Sequence, residues 1–159
     1  IVVRKKIGTS GVGGEMVSGA HEIGHRLDLF QGNFVTRQVW NDFRSGTVGG
    51  TSPLTAVEKA VVDFVRQVKT TPSIKRLIAE NSASDAAWVK YATTPHEMFA
   101  RAFAQYIADE MAIAGHSYAA TMKVSILKEH FASGYQWSQE EFDILKPYIE
   151  KILRARGMM

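Results

Sequence analysis

Three of the four prolines in this 159-residue chain follow a serine or threonine, as Ser52-Pro53, Thr71-Pro72 and Thr94-Pro95. That pairing is a helix start. The hydroxyl oxygen accepts from a free N–H of the first turn, and proline at the first helical position has no N–H to leave unmet. The residue before proline also resists the helical conformation, so a helix seldom runs through such a pair. The chain is thereby cut into several helices of moderate length. One is predicted from Ser52-Pro53, turning Leu54, Val57, Val61, Phe64, Val65 and Val68 inward. Others are predicted over Ser73 to Glu80, from Thr94-Pro95 to about Ala114, and from Ser117 to near Gly134. Ser138 and Glu141 have capping-box spacing for a last helix, which Pro147 should bend or split.

The remaining segments are less regular. Ile1 to Ile7 reads as a short strand, rich in β-branched residues. Gly8 to Gly14 is a glycine-rich connection, and it is not a phosphate loop, because Glu15 and Met16 stand where lysine and a hydroxyl residue would be needed. From Glu15 to Phe30 the period turns helical, with Met16, Ala20, Ile23, Leu27 and Phe30 on one apolar face. Residues 31 to 52 are mixed, Asn81 to Asp85 is a polar break, and Trp88 to Tyr91 fits no single element. The predicted class is α+β and predominantly helical, in one domain spanning 1–159.

Composition excludes several classes. The chain has no cysteine, which removes disulfide scaffolds, zinc ribbons, thiolate nucleophiles and iron–sulfur sites. Nineteen Lys and Arg against sixteen Asp and Glu leave a net charge of +3, a weak field without charge blocks, so no nucleic-acid partner is expected. No apolar run approaches the roughly eighteen residues of a membrane span. The first residue is Ile1 rather than Met, so the N-terminus is expected to be incomplete, and a signal peptide is neither visible nor excluded. Compartment and oligomeric state stay open.

The chemistry is concentrated in His21-Glu22-Ile23-Gly24-His25. Histidines at i and i+4 lie one above the other on a helix, so both imidazoles can reach one metal ion, as a tetrahedral zinc requires of two nitrogen ligands. Glu22, beside the first, can take a proton from water without being a ligand. His21, His25 and Asp28 are expected on one side of the helix, opposite Met16, Ala20, Ile23 and Leu27. Gly24 lets another segment or a substrate come close.

Catalytic zinc usually has three protein ligands. The third is sought in Thr94-Pro95-His96-Glu97-Met98-Phe99-Ala100-Arg101-Ala102-Phe103. Two readings of Glu97 stand side by side: it ligates, or it reaches back to the Thr94 amide as the second half of a capping box. His96 is an alternative nitrogen donor. Asp28 is expected to hold a histidine N–H from outside the ligand set.

HEIGHRLD followed about seventy residues later by HEMFARAFAQYI resembles the gluzincin branch of the zincin metallopeptidases, nearest the anthrax lethal factor type. The second string is also similar to zincin-like domains in large polyvalent proteins of phages and conjugative elements. The resemblance covers roughly residues 15 to 30 and 88 to 108. It implies a zincin-like fold, a Zn2+ cofactor held by His21, His25 and Glu97, Glu22 as general base, and a protein or peptide substrate. Members place a tyrosine shortly before the third ligand to stabilise an oxyanion, which implies that role for Tyr91; packing beside Trp88 is the competing reading. Zincins also present a substrate-pairing edge strand upstream of the first helix, here Val2 to Ile7 or chain not included. The alternative function is a non-catalytic zincin-fold module, binding or regulatory, of a mobile-element or phage protein.

Other residues have plainer expectations. Met98, Phe99, Phe103 and Ile107 form a core stripe. Arg101 is assigned a salt bridge with Glu97, Glu22 or Asp109. Tyr135 and Trp137 staple the last helix, His116 and His130 sit at helix ends, and Lys123 and Lys128 line a solvated face.

Overall fold

Several of the helices begin at side-chain caps, and the computed structural model, which describes residues 11–50 and 52–159, shows which of them act. Helix α1 spans Val12–Asp28 and leads into a hairpin of β1 (Leu29–Phe30) and β2 (Asn33–Phe34). Helices α2 (Val35–Arg44), α3 (Ala56–Thr70), α4 (Pro72–Asn81), α5 (Ala86–Ala92), α6 (Pro95–Ile113), α7 (Ala119–Ser133) and α8 (Gln139–Ala155) follow. Among the described residues the protein is thus predominantly helical with one tiny sheet. The strand expected at Val2 to Ile7 lies outside them. No helix among them is long and apolar enough to cross a membrane.

Thr71 caps α4 by accepting from the Ile74 N–H, with Pro72 at the first position, as the Thr-Pro pair predicts. Ser138 and Glu141 form a complete capping box on α8. The prediction at Ser52-Pro53 is corrected: α3 begins at Ala56, because Thr55 and Glu58 build a reciprocal capping box three residues further on. That box satisfies two N–H groups, where the serine could satisfy one. Helix α8 runs unbroken through Pro147. Leu145, Ile149 and Ile152 are at most 1% exposed, and their burial outweighs the hydrogen bond that proline removes. The segment around Trp88 is helical, with Asp85 capping the Trp88 N–H.

Helix α1 departs from prediction at both ends. It starts at Val12, inside the expected glycine loop, and stops at Asp28. Leu29 and Phe30 are taken by the antiparallel hairpin, whose register pairs Leu29 with Phe34 and Phe30 with Asn33. Gln31 and Gly32 both have positive φ, 49° and 81°, the two-residue turn that matches the twist of paired strands. The expected apolar face is also rotated. Ile23 and Phe30 are 55% and 62% exposed, whereas Gly13, Val17, Ala20, Gly24 and Asp28 are buried. Small residues, not large ones, face the protein because the neighbouring helices pass too close for large ones.

Helix α6 is the centre. Every residue from Pro95 to Tyr106 is buried, the signature of a helix surrounded by protein. One side meets α3 and α8 in a core containing Phe64, Phe99, Phe103, Phe142 and Leu145, with Phe64 and Phe99 edge-to-face at 6.1 Å. The other side meets α1 and α7 through Val17, Ala20, Ala104, Ala108, Met122 and Ile126. Of the predicted stripe, Met98, Phe99 and Phe103 are buried in the core, and Ile107 is partly buried against both core clusters.

Candidate metal centre

The site lies where α1 crosses α6. A Cβ on Gly24 would sit 2.9 Å from the Cα of Ala100 and 3.2 Å from the Cβ of Phe103. The close approach anticipated at Gly24 is therefore made by α6. Two small residues, Gly24 and Ala100, bring the helices near enough for the histidines on α1 to meet a side chain on α6.

That side chain is Glu97. The Nε2 of His21 lies 3.2 Å from Glu97 Oε1, and the Nε2 of His25 lies 3.1 Å from Oε2. The two imidazoles sit edge to face with centroids 4.6 Å apart. One donor atom from each of the three residues lies within 4.8 Å of the other two, a group that could hold a metal ion. Glu97 is 1% exposed and the histidine side chains are 15% and 16% exposed, so the cluster opens to solvent on the α1 side. Thr94 provides no side-chain cap to α6, and its hydroxyl donates to the Tyr91 carbonyl at 2.7 Å. The capping-box reading of Glu97 is thereby set aside.

Burial alone would push the Glu97 carboxyl pKa up. Hydrogen bonds from His21 and His25, together with the electrostatic pull of His21 and Arg101, outweigh it and hold the group well below the ordinary carboxylate range. A carboxylate this deep costs several kcal/mol unless cations balance it. A donor set of two imidazole nitrogens and one carboxylate oxygen suits a divalent transition metal, zinc among them.

Tyr135, expected from the sequence to staple the last helix, joins the site here. Its hydroxyl donates to Glu97 Oε1 at 2.7 Å. Burial and the Glu97 charge raise its pKa, against an opposing pull from Arg101, so it stays a protonated donor. Arg101 is 0% exposed. Instead of the expected salt bridge, its guanidinium donates to the backbone carbonyls of Tyr135 and Ala92 and lies 4.4 Å from the Tyr135 ring centroid. Its charge still reaches Glu97, one helical turn away.

The other candidates separate. Tyr91, at the end of α5, is 50% exposed; burial, then the charge of Glu97 and a hydrogen bond to it, then the charge of Glu22, raise its pKa and keep its O–H in place. Glu22 is exposed beside the histidines. His96 is outside the ligand group. It stacks on Phe34 at 4.4 Å, and burial, followed by the neighbouring His25, lowers its pKa to about 4.

Asp28 does not hold a histidine. It is fully buried, faces α2, and accepts both the backbone N–H (2.9 Å) and the hydroxyl of Thr36. Phe34, which precedes α2, offers no side-chain cap, and Asp28 caps that helix from a distance. The Nδ1 of His25 is left buried with no hydrogen-bond partner among the described residues. No spacing along the chain signals Tyr135 or the Asp28–Thr36 pair, since both arise from contacts between elements. Comparisons with models of known families, with curated proteins and with solved structures find no match to this chain.

Proposed function

We propose that this protein is a zinc-dependent endopeptidase of the gluzincin kind, with His21, His25 and Glu97 as metal ligands and Glu22 as general base. The observation that carries the reading is the convergence of Glu97 on the paired histidines from 72 residues away. Zinc, when bound, would polarise the scissile carbonyl and lower the pKa of water. The chain's own groups supply the rest. Glu22 is exposed on the α1 helix next to His21, free to accept a proton from water and return it to the leaving amine. Tyr91, half-exposed and held protonated beside Glu22 and Glu97, offers an O–H to the developing oxyanion.

The test uses an unstructured protein such as casein as substrate, with and without chelator, for the wild type and Glu22→Gln. Activity should vanish with chelator and return with zinc. Glu22→Gln should lose about 10²- to 10⁴-fold in kcat while binding zinc normally. Cleavage at the wild-type rate by Glu22→Gln would remove Glu22 from the mechanism. Zinc binding with no hydrolysis of any peptide by the wild type would favour the non-catalytic module.

A further inference from the structure

We propose that Tyr135 is a positioning residue for the metal centre, fixing the Glu97 carboxylate through a hydrogen bond that the buried Arg101 holds in place; this rests on the metal-binding reading above. The geometry is specific. Glu97 presents Oε2 to His25 and Oε1 to His21, and the Tyr135 hydroxyl donates to that same Oε1. A carboxylate rotates easily about its last torsion, and a third partner on one oxygen removes that freedom. Tyr135 lies in the connection between α7 and α8, outside both α1, which carries the histidines, and α6, which carries Glu97. Three contacts fix it there. Arg101 donates to its carbonyl, the guanidinium stacks on its ring, and Trp88 stacks on it at 5.9 Å. Trp137, two residues on, lies under the same guanidinium and donates its indole N–H to Thr71 Oγ1.

Arg101 also donates to the carbonyl of Ala92, the residue after Tyr91. One buried cation therefore sets the position of both tyrosines that face Glu97. A ligand oriented in this way keeps its geometry with or without the ion. Partners of this kind change metal affinity about 10- to 100-fold when removed.

The experiment titrates Zn2+ and Co2+ alone into metal-stripped full chain, wild type and Tyr135→Phe, against a chromogenic chelator, and records the Co2+ absorption spectrum. Phenylalanine keeps the ring contacts with Trp88 and Arg101 and removes one oxygen. The expected result is a 10- to 100-fold weaker metal affinity and an altered Co2+ spectrum, in a variant whose circular dichroism matches wild type. Wild-type affinity and spectrum in Tyr135→Phe would reduce Tyr135 to packing and leave the metal site standing. Absence of stoichiometric metal binding by the wild type would overturn both, and the wild-type titration separates the two failures.

Discussion

At Gly24 the absence of a side chain is a condition for the site. An alanine there would gain about 1 kcal/mol of helix propensity. Its Cβ would meet the Ala100 backbone at 2.9 Å, and backbone cannot swing aside as a side chain can. Overpacking of this kind costs about 1–3 kcal/mol. Gly24→Ala should therefore lower stability by up to about 2 kcal/mol, the difference between the two effects, and weaken zinc binding, because α1 must retreat from Glu97. Urea melts of the metal-free protein and a zinc titration check the two halves. A variant more stable than wild type would show that the crossing tolerates a methyl. Asp28 makes a second residue-scale case. Asp28→Ala leaves the Thr36 N–H and hydroxyl buried without their acceptor. A loss of about 1–3 kcal/mol is expected in the same melts, with zinc affinity changed less than by Gly24→Ala.

Among the elements, the join between α4 and α8 carries a pH signature. Glu141 completes the capping box of α8 and also accepts the Ser73 N–H at 2.7 Å and the Ser73 hydroxyl at the start of α4. Burial raises its pKa, but the hydrogen bonds from Ser73 and Ser138 outweigh this and lower it below the ordinary value of 4.5. A carboxyl whose pKa is depressed on folding adds stability above its unfolded pKa and loses it as the pH falls through the folded value. The stability gap between wild type and Glu141→Gln should thus be full at pH 7 and shrink below pH 4.5. Denaturant midpoints across that range measure it, and a gap independent of pH would mean that the charge on Glu141 contributes nothing.

For the molecule as a whole, the proposed metal site would act as a clasp. His25 and Glu97 are 72 residues apart, and they join α1 to the central helix. An ion that binds the folded chain alone stabilises it by about 2.7 kcal/mol at a hundredfold excess over Kd. For a domain of this size that corresponds to roughly 5–10 °C in Tm. Zinc should raise the melting temperature by this order, and chelator should return it to the metal-free value in wild type but produce no change in His21→Ala. An unchanged melting curve with zinc would contradict a site that spans the two helices.

The division between sequence and tertiary structure follows the range of the interactions. The Thr71 cap with Pro72, the Ser138–Glu141 box and the histidine pair at i, i+4 are complete within one helical turn, so the sequence by itself determined them. The core stripe on α6 was legible because that helix is surrounded by protein, which buries its large apolar residues on whichever side they fall. Where α3 begins was a contest between two local caps, and counting hydrogen bonds would have settled it for Thr55. The rest depended on which surfaces meet. Glu97 had a capping partner at the right spacing, and only the approach of α1 turned it to the histidines. The buried face of α1 was misread because close helix crossings select small side chains, which apolar periodicity undercounts. Asp28, Arg101 and Tyr135 found their partners on other elements, 8, 34 and 38 residues away. A spacing rule reaches one or two turns of helix, and packing alone decides what lies beyond it.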